Sequence, residues 1–129
     1  MKKPKIMIID DEKNIVKMLK LNLDATDKYE VRVNHEPLKA ISAIAEFFPD
    51  LLILDVMMPG LQGSEIAEML AVDPKLKNIR VLFLTALAKN NQLKVSRSIE
   101  GRRFIAKPVK MSNLIACLDE ELAEMTDND

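Results

Sequence analysis

Five polar residues stand where long apolar runs stop. Asp10 and Asp11 follow Ile6-Met7-Ile8-Ile9, Asp55 follows Leu51-Leu52-Ile53-Leu54, Thr85 follows Val81-Leu82-Phe83-Leu84, and Lys107 follows Phe104-Ile105-Ala106. An acid at the end of a buried strand is costly to desolvate unless something there needs its charge. Two carboxylates about 4 Å apart repel by about 1 kcal/mol in water and up to about 4 kcal/mol at an effective dielectric of about 20. A hard divalent cation removes that cost. Mg2+ (or Mn2+) suits such a site, because it takes carboxylates together with oxygens of water, carbonyl and phosphate. A carboxylate beside it can accept a phosphoryl group as an aspartyl phosphate. Asp55 is the expected nucleophile, Lys107 the charge that neutralises a phosphoryl oxygen, and Thr85 a donor to one.

These residues need a scaffold that brings strand ends together. The spacing predicts strands over residues 5–9, 29–33, 51–55, 80–86 and 103–108. Between and after them, helices are expected over about 12–24, from Pro37 to Pro49, from Gly63 or Ser64 to Asp73, over 90–99 and over 111–125. The inward stripes are Ile15, Val16, Leu19 and Leu23 in the first helix and Leu38, Ile41, Ile44 and Ala45 in the second. The third buries Ile66, Met69 and Leu70, and the last Leu114, Ile115, Leu118 and Leu122. The helix over 90–99 has only Leu93, Val95 and Ile99 as anchors, and residues 127–129 are expected to fray. Alternation of helices with continuous apolar strands implies an α/β, doubly wound, five-stranded parallel sheet covered on both faces. The flavodoxin-like order 2-1-3-4-5 puts its switch point between strands 1 and 3, where ligands of such sheets bind. Those two strand ends carry Asp10, Asp11 and Asp55.

Composition bounds the class. A chain of 129 residues, 48% hydrophobic and 30% charged, is expected to be one domain over residues 1–129 with an ordinary core. A formal net charge of −1 supplies no overall field for nucleic acid. No apolar run approaches the ~20 residues of a membrane helix. The lone Cys117 excludes an internal disulfide and fits a reducing cytoplasm. Its place near the last helix's stripe points to packing, and His35 stands alone in the loop after the second strand, far from the acids.

Asp10-Asp11, Asp55 in Asp-Val-Met-Met-Pro-Gly, Thr85-Ala86 and Lys107-Pro108, in order along nearly the whole chain, resemble a response-regulator receiver domain of two-component signalling. The resemblance implies that Asp55 is the phospho-acceptor, charged by a sensor histidine kinase, a histidine phosphotransfer protein or a small phosphodonor. It implies Mg2+ (or Mn2+) held by Asp11 directly, by Asp10 mostly through water, by Asp55, and by the Met57 backbone carbonyl. It implies a cis Lys107-Pro108 bond, with Thr85 and Phe104 as switch residues. Phosphorylation then changes the surface of the fourth helix, fifth strand and fifth helix. The chain is expected to be a regulator rather than an enzyme, taking part in its own phosphoryl transfer and in slow autodephosphorylation.

Receivers often carry Gly-Ala and acids before the fifth strand, where this chain has Gly101-Arg102-Arg103. Residues 87–117 hold seven basic residues (Lys89, Lys94, Arg97, Arg102, Arg103, Lys107, Lys110) against one acid, Glu100. An output partner with an acidic surface is one reading; a solvated face balanced by acids from Asp119 onward is the other. Asp10 or Glu12 also suits a simple helix cap. Among rivals, a nucleotide binder needs a Gly-rich anion loop where Asp10-Asp11-Glu12 stands. An Asp-x-Asp phosphatase of the haloacid-dehalogenase type needs an acid at Met57. A receiver-like interaction module that never handles phosphate is opposed by the intact acids, Thr85 and Lys107.

Overall fold

Strands form where β-branched and other large aliphatic residues run without a break, because only a sheet covered on both faces removes every such side chain from water. In the computed structural model, which describes residues 2–86 and 102–127, the strands are β1 (Lys5–Ile9), the alternating, half-exposed β2 (Glu30–Asn34), β3 (Leu51–Asp55), β4 (Arg80–Thr85) and β5 (Arg103–Ala106). All pair in parallel in the order β2-β1-β3-β4-β5, as the alternating pattern requires. The described helices are α1 (Lys13–Ala25), α2 (Ala40–Phe47), α3 (Gly63–Val72) and α4 (Met111–Asp127). The helix expected over 90–99 lies outside the described residues, as do three of the seven basic residues, Lys89, Lys94 and Arg97, and the acid Glu100.

The two faces of the sheet have separate cores. Met7, Ile9, Leu52, Leu54, Val81 and Phe83 pack with α2 and α3. Ile6, Ile8, Leu51, Ile53, Leu82 and Leu84 pack with α1 and α4. Each large aliphatic side chain so buried contributes about 1.5–3 kcal/mol relative to exposure. Cys117 packs against this second core. No described helix is long and apolar enough to cross a membrane.

Helix phase departs from the sequence pattern in two places. Pro37–Lys39 form a 3-10 turn ahead of α2. At three residues per turn this rotates Leu38 off the α-helical stripe, and Leu38 is 80% exposed. The buried set is Ala40, Ile44 and Phe47, with Ile41 packed against the core and Ala45 exposed. In α3 the inward residues are Ile66, Ala67 and Leu70. Met69 stands on the flank, 46% exposed. The last helix also runs further than expected, through Asp127.

Candidate functional site

Parallel pairing sets the ends of β1, β3, β4 and β5 level. Ile9 lies opposite Leu54, Asp55 opposite Leu84, and Thr85 opposite Ala106. The residue that follows each apolar run therefore arrives at one edge of the sheet. Asp10, Asp55 and Thr85 are all buried there.

Asp10 is fixed by its backbone and by one oxygen. Its N–H donates to the Asn34 carbonyl at 3.2 Å, and its Oδ1 accepts the Glu12 N–H at 3.0 Å. Its Oδ2 is buried without a well-aligned hydrogen bond, although Lys107 Nζ stands 2.8 Å away. The Asn34 contact ties the end of β2 to the backbone of Asp10.

Asp55 is 3% exposed. The chain beyond it is pinned where Val56 N–H donates to the Leu84 carbonyl and Gly63 N–H to the Val56 carbonyl, both at 2.9 Å. The start of α3 is thereby pulled against the end of β3. A Cβ at Gly63 would lie 2.2 Å from the Asp55 carbonyl oxygen, so only glycine fits. Burial, followed by the charge of Asp10, pushes the Asp55 carboxyl up to about 6. Lys107 and the Met57 backbone N–H oppose the shift.

Lys107 closes the site. Its N–H donates to the Thr85 carbonyl at 2.8 Å, and the Lys107-Pro108 bond is cis, as the resemblance implies. Its Nζ lies 2.8 Å from Asp10, 2.9 Å from Glu12 and 3.4 Å from Asp55. Burial opposes its charge, but the close contacts with Asp10 and Glu12 and the charges of Asp10 and Asp55 prevail. The amine is held above its ordinary range. It stays a cation.

Asp10, Asp11 and Asp55 each present an oxygen within 4.8 Å of the others. These are hard donors only, without His or Cys, and buried Asp10 carries an Oδ2 without an aligned hydrogen bond. The donor set fits a hard divalent cation. The fold thus brings together Asp10, Asp11, Asp55 and Lys107, with Thr85 adjoining at the end of β4. The Met57 side chain points outward, 59% exposed. Phe104 packs its ring 5.3 Å from that of Phe83.

Sequence reasoning missed two residues of the site. Glu12 was expected to cap α1 if it did anything, yet its side chain makes no capping hydrogen bond and reaches Lys107. Gly63 had a signal in composition: the chain has three glycines, and Gly60 and Gly63 both fall just after Asp55.

Arg103, the first residue of β5, is placed differently from a free docking face. Arg103 pairs with Glu120, Glu121 and Glu124 of α4. Arg80 reaches Glu121 at 3.2 Å and Glu124 at 2.9 Å. For Arg103, balance by the acidic last helix is the reading the contacts favour.

Comparison with known proteins agrees with this geometry. The family model described as "Response regulator receiver domain" matches residues 6–119. The DNA-binding response regulator MtrA of Mycobacterium tuberculosis is 27% identical over 94% of this chain and 54% of its own length. The phosphate regulon transcriptional regulatory protein PhoB of Rhizobium meliloti is 30% identical over 88% of this chain and 49% of its own. The chain spans about half the length of these relatives. The crystal structure of a putative response regulator from Chloroflexus aurantiacus superposes with a TM-score of 0.84 at 29% identity, over 95% of this chain and 99% of that one.

Proposed function

Because this chain belongs to the response regulator receiver domain family, we propose that it is a phosphorylation-activated switch whose phospho-acceptor is Asp55. The observation that carries this reading is a buried carboxylate at a parallel strand end, grouped with Asp10 and Asp11 and facing the Lys107 ammonium at 3.4 Å. With a pKa of about 6, Asp55 is mostly ionised at neutral pH and available as a nucleophile. One of its oxygens forms the new bond to phosphorus. The bond from phosphorus to a phosphohistidine nitrogen breaks, and the electron pair returns to the imidazole. With acetyl phosphate, acetate leaves instead.

Lys107 takes up one phosphoryl oxygen, and Thr85 donates to another. Asp10, Asp11, Asp55 and the Met57 carbonyl would hold Mg2+ (or Mn2+), which would supply charge neutralisation for the transfer. Phosphorylation adds about −1.5 to −2 charges. Two charge-assisted hydrogen bonds contribute about 1.5–3 kcal/mol each, against about 5.5 kcal/mol for a complete population swing. Thr85 and Lys107 together therefore bias the end of β4 and β5 substantially, and Phe104, packed on Phe83 of β4, is the switch residue that follows. The output surface includes β5 and α4; the remainder of the expected surface, over 90–99, lies outside the described residues.

The donor is a sensor histidine kinase or histidine phosphotransfer protein of the cytoplasm, and residues 1–129 form one folding unit. The chain is a regulator rather than an enzyme, and its own turnover is a slow loss of the phosphoryl group. Relatives such as MtrA are described as DNA-binding; DNA contact is assigned here to an output partner or output domain, not to this receiver.

Intact-mass measurement after treatment with acetyl phosphate and Mg2+ tests the proposal. The expected result is a gain of about 80 daltons, one phosphoryl unit, in the wild type and none in Asp55→Asn. No gain in the wild type would leave a phosphate-independent interaction module as the better account.

A further inference from the structure

In the resting site Lys107 has three carboxylate partners, and they are not equivalent. Asp10 and Asp55 are buried and belong to the oxygen cluster. Glu12 stands outside that cluster, at the N-cap of α1, with a side chain 57% exposed. An exposed glutamate has little reason to keep one conformation unless a partner repays its side-chain entropy. At an N-cap the ordinary partner is a free helix N–H. Glu12 leaves those N–H groups alone: its carbonyl accepts from Ile15 and Val16, while its carboxylate makes no cap bond. The carboxylate crosses instead to Lys107 Nζ at 2.9 Å, a contact between residues 95 apart in sequence.

We propose that Glu12 is a positioning residue that holds Lys107 at the rim of the resting site and must release it when a phosphoryl group arrives on Asp55. The proposal rests on Asp55 being the phospho-acceptor. Lys107 faces three carboxylate oxygens in the resting site, and its one aligned side-chain hydrogen bond among the described residues goes to Glu12. Engagement of a phosphoryl oxygen on Asp55 draws the ammonium away from that partner. Asp10 and Asp55 are fixed by burial and by the strand ends that carry them, whereas Glu12 is a solvent-facing side chain that water can resolvate at little cost. Glu12 therefore stabilises the unphosphorylated form selectively. Its loss favours phosphorylation and slows the return.

Two variants separate contact from charge. Glu12→Gln removes the charge. Glu12→Asp keeps it but shortens the reach, and aspartate at an N-cap accepts from the helix N–H groups. In both, phosphorylation by acetyl phosphate, followed by intact mass, is expected to quicken by about two- to fivefold, the range of an exposed charge pair. The gain is expected to vanish in a Lys107→Gln background. A second readout needs neither metal nor phosphate. The 15N-resolved hydrogen exchange of the Lys107 ammonium is expected to be faster in Glu12→Gln and Glu12→Asp than in the wild type. Unchanged ammonium exchange, an unchanged rate, or a gain that persists without Lys107 overturns the proposal. A wild type that never gains phosphoryl mass overturns the phospho-acceptor assignment, while ammonium exchange still reports on the Glu12 contact.

Discussion

Replacing Asp55 by asparagine is expected to stabilise the metal-free protein at neutral pH, and the gain is expected to disappear in acid. The folded carboxyl has a pKa of about 6 against an ordinary value of 3.8, with burial the largest cause and the charge of Asp10 the next. Above pH 6 the group is charged in both the folded and unfolded chains, and the folded state bears the full cost of that charge. Between about 6 and 3.8 the folded state holds a proton that the unfolded chain has lost, so stability rises as pH falls through this window. The difference of about 2.2 units, at 1.36 kcal/mol each, sets an upper figure near 3 kcal/mol. Relaxation of the site brings the expected gain for Asp55→Asn to about 1.5–3 kcal/mol. Urea unfolding of both proteins in EDTA, at pH 7.5 and at about pH 4, measures it. The two curves should be well separated at the higher pH and nearly coincide at the lower. Millimolar Mg2+ should narrow the gap at pH 7.5 by stabilising the wild type through binding to the folded state. A separation that does not depend on pH, or an asparagine variant less stable at pH 7.5, would refute the argument that the Asp55 charge is costly where it sits.

Three further outcomes follow from the contacts. Gly63→Ala places a methyl 2.2 Å from the Asp55 carbonyl oxygen and should cost more than about 2 kcal/mol in urea unfolding, because backbone must move; a cost below about 1 kcal/mol would mean that the loop gives way easily. Arg80→Ala removes the nearer of the two arginines paired with Glu121, a residue that is buried and pushed up in pKa by its burial and by Glu124. A loss of about 1–3 kcal/mol at pH 7 is expected, and an unchanged denaturation midpoint would show the pair to be idle. Met57 points its thioether outward beside Asp55 and offers a water no strong hydrogen bond. The phosphoryl group should therefore persist for minutes or longer after the donor is removed, followed by intact mass, and decay within seconds would contradict this.

The parts of the site that were legible in sequence are those set by strand ends. Asp10, Asp55, Thr85 and Lys107 each follow an unbroken apolar run, and parallel pairing leaves such positions no choice but to meet at one edge. The residues that escaped notice depend on geometry that periodicity does not encode. Leu38 was assigned inward because the pattern assumed an α-helix from Pro37, where a 3-10 turn changes the angle per residue. Met69 lies one position from the boundary of its stripe, and Ala67 takes the inward place. Glu12 looked like a cap because nothing local distinguishes a capping acid from one that reaches a lysine 95 residues away. The acids at Glu120, Glu121 and Glu124 were visible as a run, but only the docking of α4 beside β4 and β5 shows that they meet Arg80 and Arg103.

That arginine–glutamate cluster gives the molecule a heavy end and a light end. Arg80 and Arg103 open β4 and β5, while Thr85 closes β4 and Lys107 comes just after β5. The roots of both strands are lashed to α4 by ions, and their tips carry the chemistry. Damage at the roots should thus lower the melting point without altering how phosphate is handled, and alterations at the tips should do the reverse. On the proposed reading, the same two strands serve as ballast at one extremity and as the switch at the other.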